Sequence, residues 1–251
     1  MVYTNSPLVD YTKISPNKTK NRNHTIDTIT IHCVVGQCSV ETIGSIFANK
    51  NRRASSNYGI GFDGRIGMYC EEKDRSWCSS SSSNDNRAIT IEVASDTKEP
   101  YAINAKAYAS LINLVADICK RNNIKELKWK GDKSLIGQVN KQNMTVHRWF
   151  ANKSCPGTYL YERMGTIAAD VNKKLGVVES KPASTSYKVK VTTPALNIRK
   201  GPGTNFGIAG CIMDNGVYTI VAESIGKGSS KGWGKLKSGA GWISLGYVKK
   251  L

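Results

Sequence analysis

Along the first two thirds of the chain, apolar positions recur with a period of two in some stretches and near 3.6 in others. Residues 28–35 alternate, with Thr28, Thr30, His32 and Val34 on one face and Ile29, Ile31, Cys33 and Val35 on the other, which predicts a strand. Residues 88–94 repeat the pattern, setting Ile89, Ile91 and Val93 against Thr90 and Glu92. As neighbours in one sheet, these strands place His32 and Glu92 on the same face. Between them, Ser39 is an N-cap for a short helix over 40–49, and the basic run Lys50-Asn51-Arg52-Arg53 ends it. Residues 57–62 and 65–70 flank Asp63-Gly64, a turn pair that predicts a tight hairpin. Residues 79–86, five serines and then Asn-Asp-Asn, are expected as an exposed loop.

Helical periodicity appears twice. Over 103–123, Tyr108, Leu111, Ile112, Val115, Ile118 and Cys119 form one stripe, with Asn104 as cap. Over 158–175, Leu160, Met164, Ile167, Val171 and Leu175 form another, and Gly176 suits the C-cap. Residues 1–27 are polar and are expected as an extended arm lying over the domain, His24 included. Beyond 176 the character changes. Residues 177–186 have linker composition, and short β-rich runs at 188–192 and 217–221 then alternate with Gly-rich turns, as in a small barrel. The expected division is therefore 1–176, a linker at 177–187, and 188–251.

Composition is ordinary for a globular protein of 251 residues, but the net charge of +17 is not and implies an anionic partner. Basic residues outnumber acidic ones 25 to 16 in residues 1–176 and 10 to 2 in residues 188–251, so the excess is spread rather than gathered in a nucleic-acid arm. No nucleic-acid motif accompanies it. The seven cysteines cannot all pair within the chain and are expected to be mostly reduced. The first residues lack the charged-then-apolar pattern of a signal peptide, and no apolar run approaches the ~18 residues of a membrane span.

The segment 145–157 carries the candidate chemistry. His147 and Cys155 supply the imidazole and thiolate that zinc prefers, spaced so that a loop can fold both onto one ion, and Lys153 stands two residues before the cysteine. Of the chain's three histidines, His32 lies on a strand and is the candidate third ligand. Three protein ligands leave a position open, as in catalytic zinc sites. Taken singly, His32 also reads as a satisfied core histidine and Cys155 as a buried thiol.

Together, the strand ending in His32, Asn57-Tyr58-Gly59-Ile60-Gly61, Ile89-Thr90-Ile91-Glu92 and the closing His147…Lys153-Ser154-Cys155-Pro156-Gly157 resemble the type-2 N-acetylmuramoyl-L-alanine amidases, a zinc family that includes many phage endolysins. The resemblance spans about residues 20–176 and implies an α/β fold, a mixed central β-sheet flanked by helices. It implies Zn2+ held by His32, His147 and Cys155, and cleavage of the bond between the lactyl group of N-acetylmuramic acid and L-alanine in peptidoglycan. Lys153 would then face the oxyanion, Tyr58 the attacking water, and Glu92 would act as general base or orient a ligand histidine. Trp77-Cys78 departs from the Trp-His of some relatives. Trp149 reads equally as a groove wall or a core plug. Leu196-Asn197-Ile198-Arg199-Lys200-Gly201-Pro202-Gly203-Thr204-Asn205-Phe206 resembles the opening of bacterial SH3 domains, and Gly232-Trp233-Gly234-Lys235-Leu236 with Gly241-Trp242-Ile243 their close, implying an SH3-like, wall-binding barrel in which at least one of Trp233, Trp242 and Tyr247 packs in the core. The partners implied are peptidoglycan and anionic wall polymers, with no nucleic acid and no membrane insertion. With no signal, the expected location is the host cytoplasm until lysis, which favours an endolysin over an autolysin. The rival readings are a peptidoglycan-binding protein without catalysis and a metal-independent cysteine peptidase using Cys155 and His147.

Overall fold

The computed structural model describes residues 3–177 and 186–251, which belong to two compact units, Met1–Val178 and Glu179–Leu251. The linker expected at 177–187 falls mainly on 178–185, outside the described residues.

In the first unit the chain runs through β1 (Tyr11–Thr12), β2 (Lys18–Thr19), β3 (Thr28–Cys33), α1 (Val40–Ala48), β4 (Tyr58–Ile60), β5 (Ile66–Met68), β6 (Arg75–Ser76), α2 (Ser82–Arg87), β7 (Ala88–Val93), α3 (Ala105–Arg121), β8 (Met144–Val146) and α4 (Gly157–Leu175). Six strands form a mixed sheet in the order β1-β5-β4-β7-β3-β8. β3 lies parallel to both β7 and β8, and β4 and β5 form the expected antiparallel hairpin.

The strand alternation sorts two chemistries onto two faces. Ile29, Ile31, Ile89, Ile91, Tyr58, Ile60 and Val146 turn to one side and form a single core with Leu111, Ile118, Leu160 and Met164 of α3 and α4. The helix caps follow the sequence: Asn104 accepts from the Ala107 amide, Ser39 from that of Thr42, and Gly176 ends α4 in the left-handed region.

The other face carries Thr30, Thr90, Thr145, His32 and Glu92. Buried hydroxyls need partners, and residues 76–87 provide them. Asn84 donates to Thr30 Oγ1 at 3.0 Å and accepts from Thr145 Oγ1 at 3.0 Å, while Ser76 and Thr90 hydroxyls bond at 2.7 Å. Residues 79–86 are thus not the exposed loop expected from their composition. Ser81 caps α2; Asn84 is buried because the polar sheet face draws it in, and Asp85 is buried where it accepts from the Cys78 and Ser79 amides and the Ser79 hydroxyl. The N-terminal arm is tied down likewise: buried Arg22 donates to the carbonyls of Glu72, Asp74, Asp85, Asn86 and Ala88.

The second unit is all-β, with strands β9 (Tyr187–Val191), β10 (Leu196–Arg199), β11 (Ile208–Ile212), β12 (Val217–Ser224), β13 (Trp233–Leu236), β14 (Trp242–Ser244) and β15 (Val248–Lys250) in one antiparallel sheet. Its core is Val189, Val191, Leu196, Ile198, Ile212, Ile220, Leu236, Ile243 and Leu245. Of the three aromatic residues singled out in the sequence, Trp233 is buried, Trp242 half-buried and Tyr247 exposed.

Candidate metal centre

The candidate ligands gather where β3, β7 and β8 end. The β3–β7 register sets His32 directly beside Glu92, and the β3–β8 ladder, which pairs Ile31 with Val146, delivers His147 next to His32. A 3-10 turn over His147–Trp149 then leads into a loop that returns Cys155 to the same point. That loop is pinned by the Arg148 amide on the Cys155 carbonyl at 3.1 Å and by the Arg148 guanidinium on the Ser154 carbonyl. Gly157 then turns the chain into α4 at φ +80, where a Cβ would lie 2.8–2.9 Å from Tyr101 and the Pro100 carbonyl, so only glycine fits.

The donor atoms of His32, His147 and Cys155 all lie within 4.8 Å of one another. Cys155 Sγ is 3.4 Å from His32 Nδ1, and the two imidazole rings are 5.1 Å apart. Two imidazoles and a thiol are donors that suit zinc, and tetrahedral bonds of about 2.0–2.3 Å separate such donors by under about 4 Å. His32 is fully buried, yet its Nε2 has no hydrogen-bond partner. An orphaned buried nitrogen in such a group fits a site built around an ion.

The electrostatics agree with ligation. Burial, and His147 beside it, push the His32 imidazole down to about 3; burial and the Lys153 charge lower His147. Both rings are therefore neutral near pH 7, the form that binds metal. Contact with the Cys33 thiol and burial push the Cys155 thiol up, so an incoming cation must displace its proton. Glu92 accepts weakly from the Cys78 thiol at 3.9 Å, and its Oε2 is buried without a partner. Burial raises its carboxyl to about 7, outweighing the opposing pull of Arg52 and Cys78. His32, Cys78 and Glu92 form a second close donor group, sharing His32 with the first.

A cavity of about 350 Å³ opens over the cluster, lined by Cys155, Glu92, His147, Lys153 and Arg52 and by the apolar Ile43, Ile46 and Phe47. Lys153 is thus among the residues that line the cavity over the cluster.

Tyr58 is not. It pairs in register with Ile91, one residue out of step with Glu92, so it points to the opposite face of the sheet. There its hydroxyl donates to Glu72 Oε1 at 2.7 Å and accepts from the Ser6 amide at 2.9 Å, while Arg121 and Asn122 hold the same carboxylate. Tyr58→Phe is accordingly expected to cost about 1–2 kcal/mol in a denaturant titration and to leave kcat within twofold at permissive temperature; a 100-fold fall in kcat would return Tyr58 to the reaction. Trp149 is buried, its ring stacked on Trp129 at 5.0 Å and 1°, which makes it a core residue. Residue-by-residue reading missed Ser80, whose hydroxyl lies 3.1 Å from His147 Nε2. Nothing separates it from the neighbouring serines until the chain is folded.

Fold and cluster together define a mixed α/β protein with a His/His/Cys group, spaced to hold a metal ion, at the carboxyl ends of its central strands. Residues 22–158, more than half of the chain, match the N-acetylmuramoyl-L-alanine amidase family, and the chain belongs to that family. Among solved structures, it is similar to the endolysin N-acetylmuramoyl-L-alanine amidase LysCS from Clostridium intestinale URNW, with 18% identity, 69% of this chain and 98% of that one covered, and a TM-score of 0.46. It is similar to AmpD at 18% identity, 67% and 99% coverage and a TM-score of 0.46, and to the catalytic domain of XlyA at 18%, 65% and 99%, and 0.44. No curated protein matches it.

Proposed function

We propose that this amidase is zinc-dependent, with His32, His147 and Cys155 as the ligands, and that it cleaves the lactyl–L-alanine amide of peptidoglycan. The observation that carries the reading is the convergence of three zinc-type donors within 4.8 Å of one another, with the fully buried His32 among them and Glu92 one strand away. Bound zinc would polarise the scissile carbonyl and acidify the attacking water. Glu92 takes the proton from that water and returns it to the departing amine, which suits a carboxylate tuned near neutrality. The Lys153 ammonium donates a hydrogen bond to the oxygen that gains charge as the carbonyl carbon becomes tetrahedral. Residues 188–251, resembling bacterial SH3 domains and carrying 10 basic against 2 acidic residues, hold the enzyme on the anionic wall. Against a cysteine peptidase stands the environment of Cys155, which raises the thiol where a nucleophile needs it lowered.

The test is digestion of purified peptidoglycan with and without a zinc chelator, followed by mass spectrometry of the new ends. Expected are peptides beginning with L-alanine, released only while zinc is retained. Cleavage inside the stem that ignores the chelator would make Cys155 a nucleophile instead, and no cleavage of several wall types would favour a binding protein.

A further inference from the structure

A second cavity, of about 400 Å³, adjoins the first, and Arg52, His147 and Lys153 line both. The two are arms of one groove, with His147 of the donor cluster at the join. The second arm is walled by Arg53, Arg75 and Trp77. Among the described residues, none of Arg52, Arg53, Arg75 and Lys153 takes part in an ion pair. The acidic lining residue, Asp85, is already committed to the Cys78 and Ser79 amides and the Ser79 hydroxyl. Two of the walls are held in place: Arg75 Nη2 and Trp77 Nε1 both donate to Thr19 Oγ1, at 2.6 and 2.9 Å. Arg53 is set by a left-handed backbone, its amide on the Lys50 carbonyl. Glu92 and Asp85 act on Arg52 and Arg75 only at longer range, so four cations against two carboxylates leave the groove with an excess of positive charge, and an anion there offsets that excess while accepting charge-assisted hydrogen bonds.

We propose that this arm is a carboxylate subsite that reads the free acid of the stem residue following L-alanine, an inference that rests on the amidase reading above. The N-acetylated sugars on the other side of the scissile bond are uncharged, so the peptide brings the anion. One to two residues beyond the cut, at up to about 3.5 Å each, a carboxylate lies within reach of a neighbouring cavity of this size. The chemistry that fits is a planar carboxylate against a guanidinium fork, so amidating that acid removes the recognised group.

The experiment compares two soluble N-acetylmuramoyl dipeptides, identical except that the second residue carries a free α-carboxylate or its amide. Wild-type enzyme is expected to favour the acid by about tenfold or more in kcat/KM. The double variant Arg53→Gln/Arg75→Gln should bring that ratio toward one, and Arg53→Lys/Arg75→Lys should keep part of it. Equal turnover of acid and amide by the wild type, or a variant that slows both by the same factor, overturns the proposal. If neither compound is cleaved, calorimetric binding of the same pair decides: preference for the acid sustains the subsite while the amidase reading fails, and equal affinity sinks the subsite. A defect of the glutamine variant seen only on walls bearing phosphate polymers, and absent with the soluble pair, overturns it in favour of a phosphate-reading groove.

Discussion

Replacing Cys155 by alanine is expected to abolish hydrolysis, lowering kcat/KM by about a thousandfold or more, and to drop zinc content from one equivalent toward zero. Two imidazoles alone hold the ion too loosely, and the thiol supplies the anionic donor of the set. Because Cys155 sits on a loop rather than in the sheet, the fold should survive, and wall binding through residues 188–251 should persist. His32→Ala is expected to share the loss of activity but with a larger fall in stability, since it also opens a void at a fully buried position. Metal analysis, turnover of purified walls and wall sedimentation check these outcomes together. Retention of both zinc and activity in Cys155→Ala would remove the cysteine from the ligand set, and loss of wall binding would count against the separate role of the second unit.

Glu92→Gln keeps shape and burial but removes the proton acceptor, so kcat is expected to fall by roughly 10²–10⁴ while zinc content is unchanged. Wild-type activity should rise with pH through about 7, because burial raises the carboxyl to about 7 against the opposing pull of Arg52 and Cys78. That limb should vanish in the variant. A stability effect of opposite sign accompanies it. The folded carboxyl titrates above its ordinary value of 4.5, so the stability linked to its protonation is present below about 4.5 and lost as pH rises through about 7. Metal-free Glu92→Gln should thus be more stable than metal-free wild type at pH 8, by at most about 3 kcal/mol. If instead the variant lost its zinc with little change in the proton-linked limb, Glu92 would be an orienting group for a ligand histidine.

Much of the scaffold is readable from alternation alone. Ile29/Ile31 and Ile89/Ile91 fix which face of each strand is apolar, and the period of two then forces His32 and Glu92 onto the other face whatever the sheet order. The same logic, extended to Tyr58, needs the register of β4 against β7, which no local pattern contains. One step of register separates facing Glu92 from facing Glu72, and the hydrogen bond to Glu72 shows which side the hydroxyl takes. The stretch 79–86 is illegible for a related reason: serines and asparagines lack apolar periodicity, and what buries Asn84 is a polar sheet face assembled from distant strands.

The sequence by itself determined the two long helices and their caps, the alternation of the two central strands, the two-part division of composition and the residue types able to hold zinc, because these depend on local periodicity, capping and side-chain chemistry. The tertiary structure alone decided that His32, His147 and Cys155 converge within 4.8 Å, that Glu92 has an unpartnered buried oxygen beside them, that Tyr58 lies behind the sheet, and that Arg52, Arg53, Arg75 and Lys153 share a groove. These depend on strand order, register and loop return, which are set by packing between residues as much as 123 positions apart, as for His32 and Cys155.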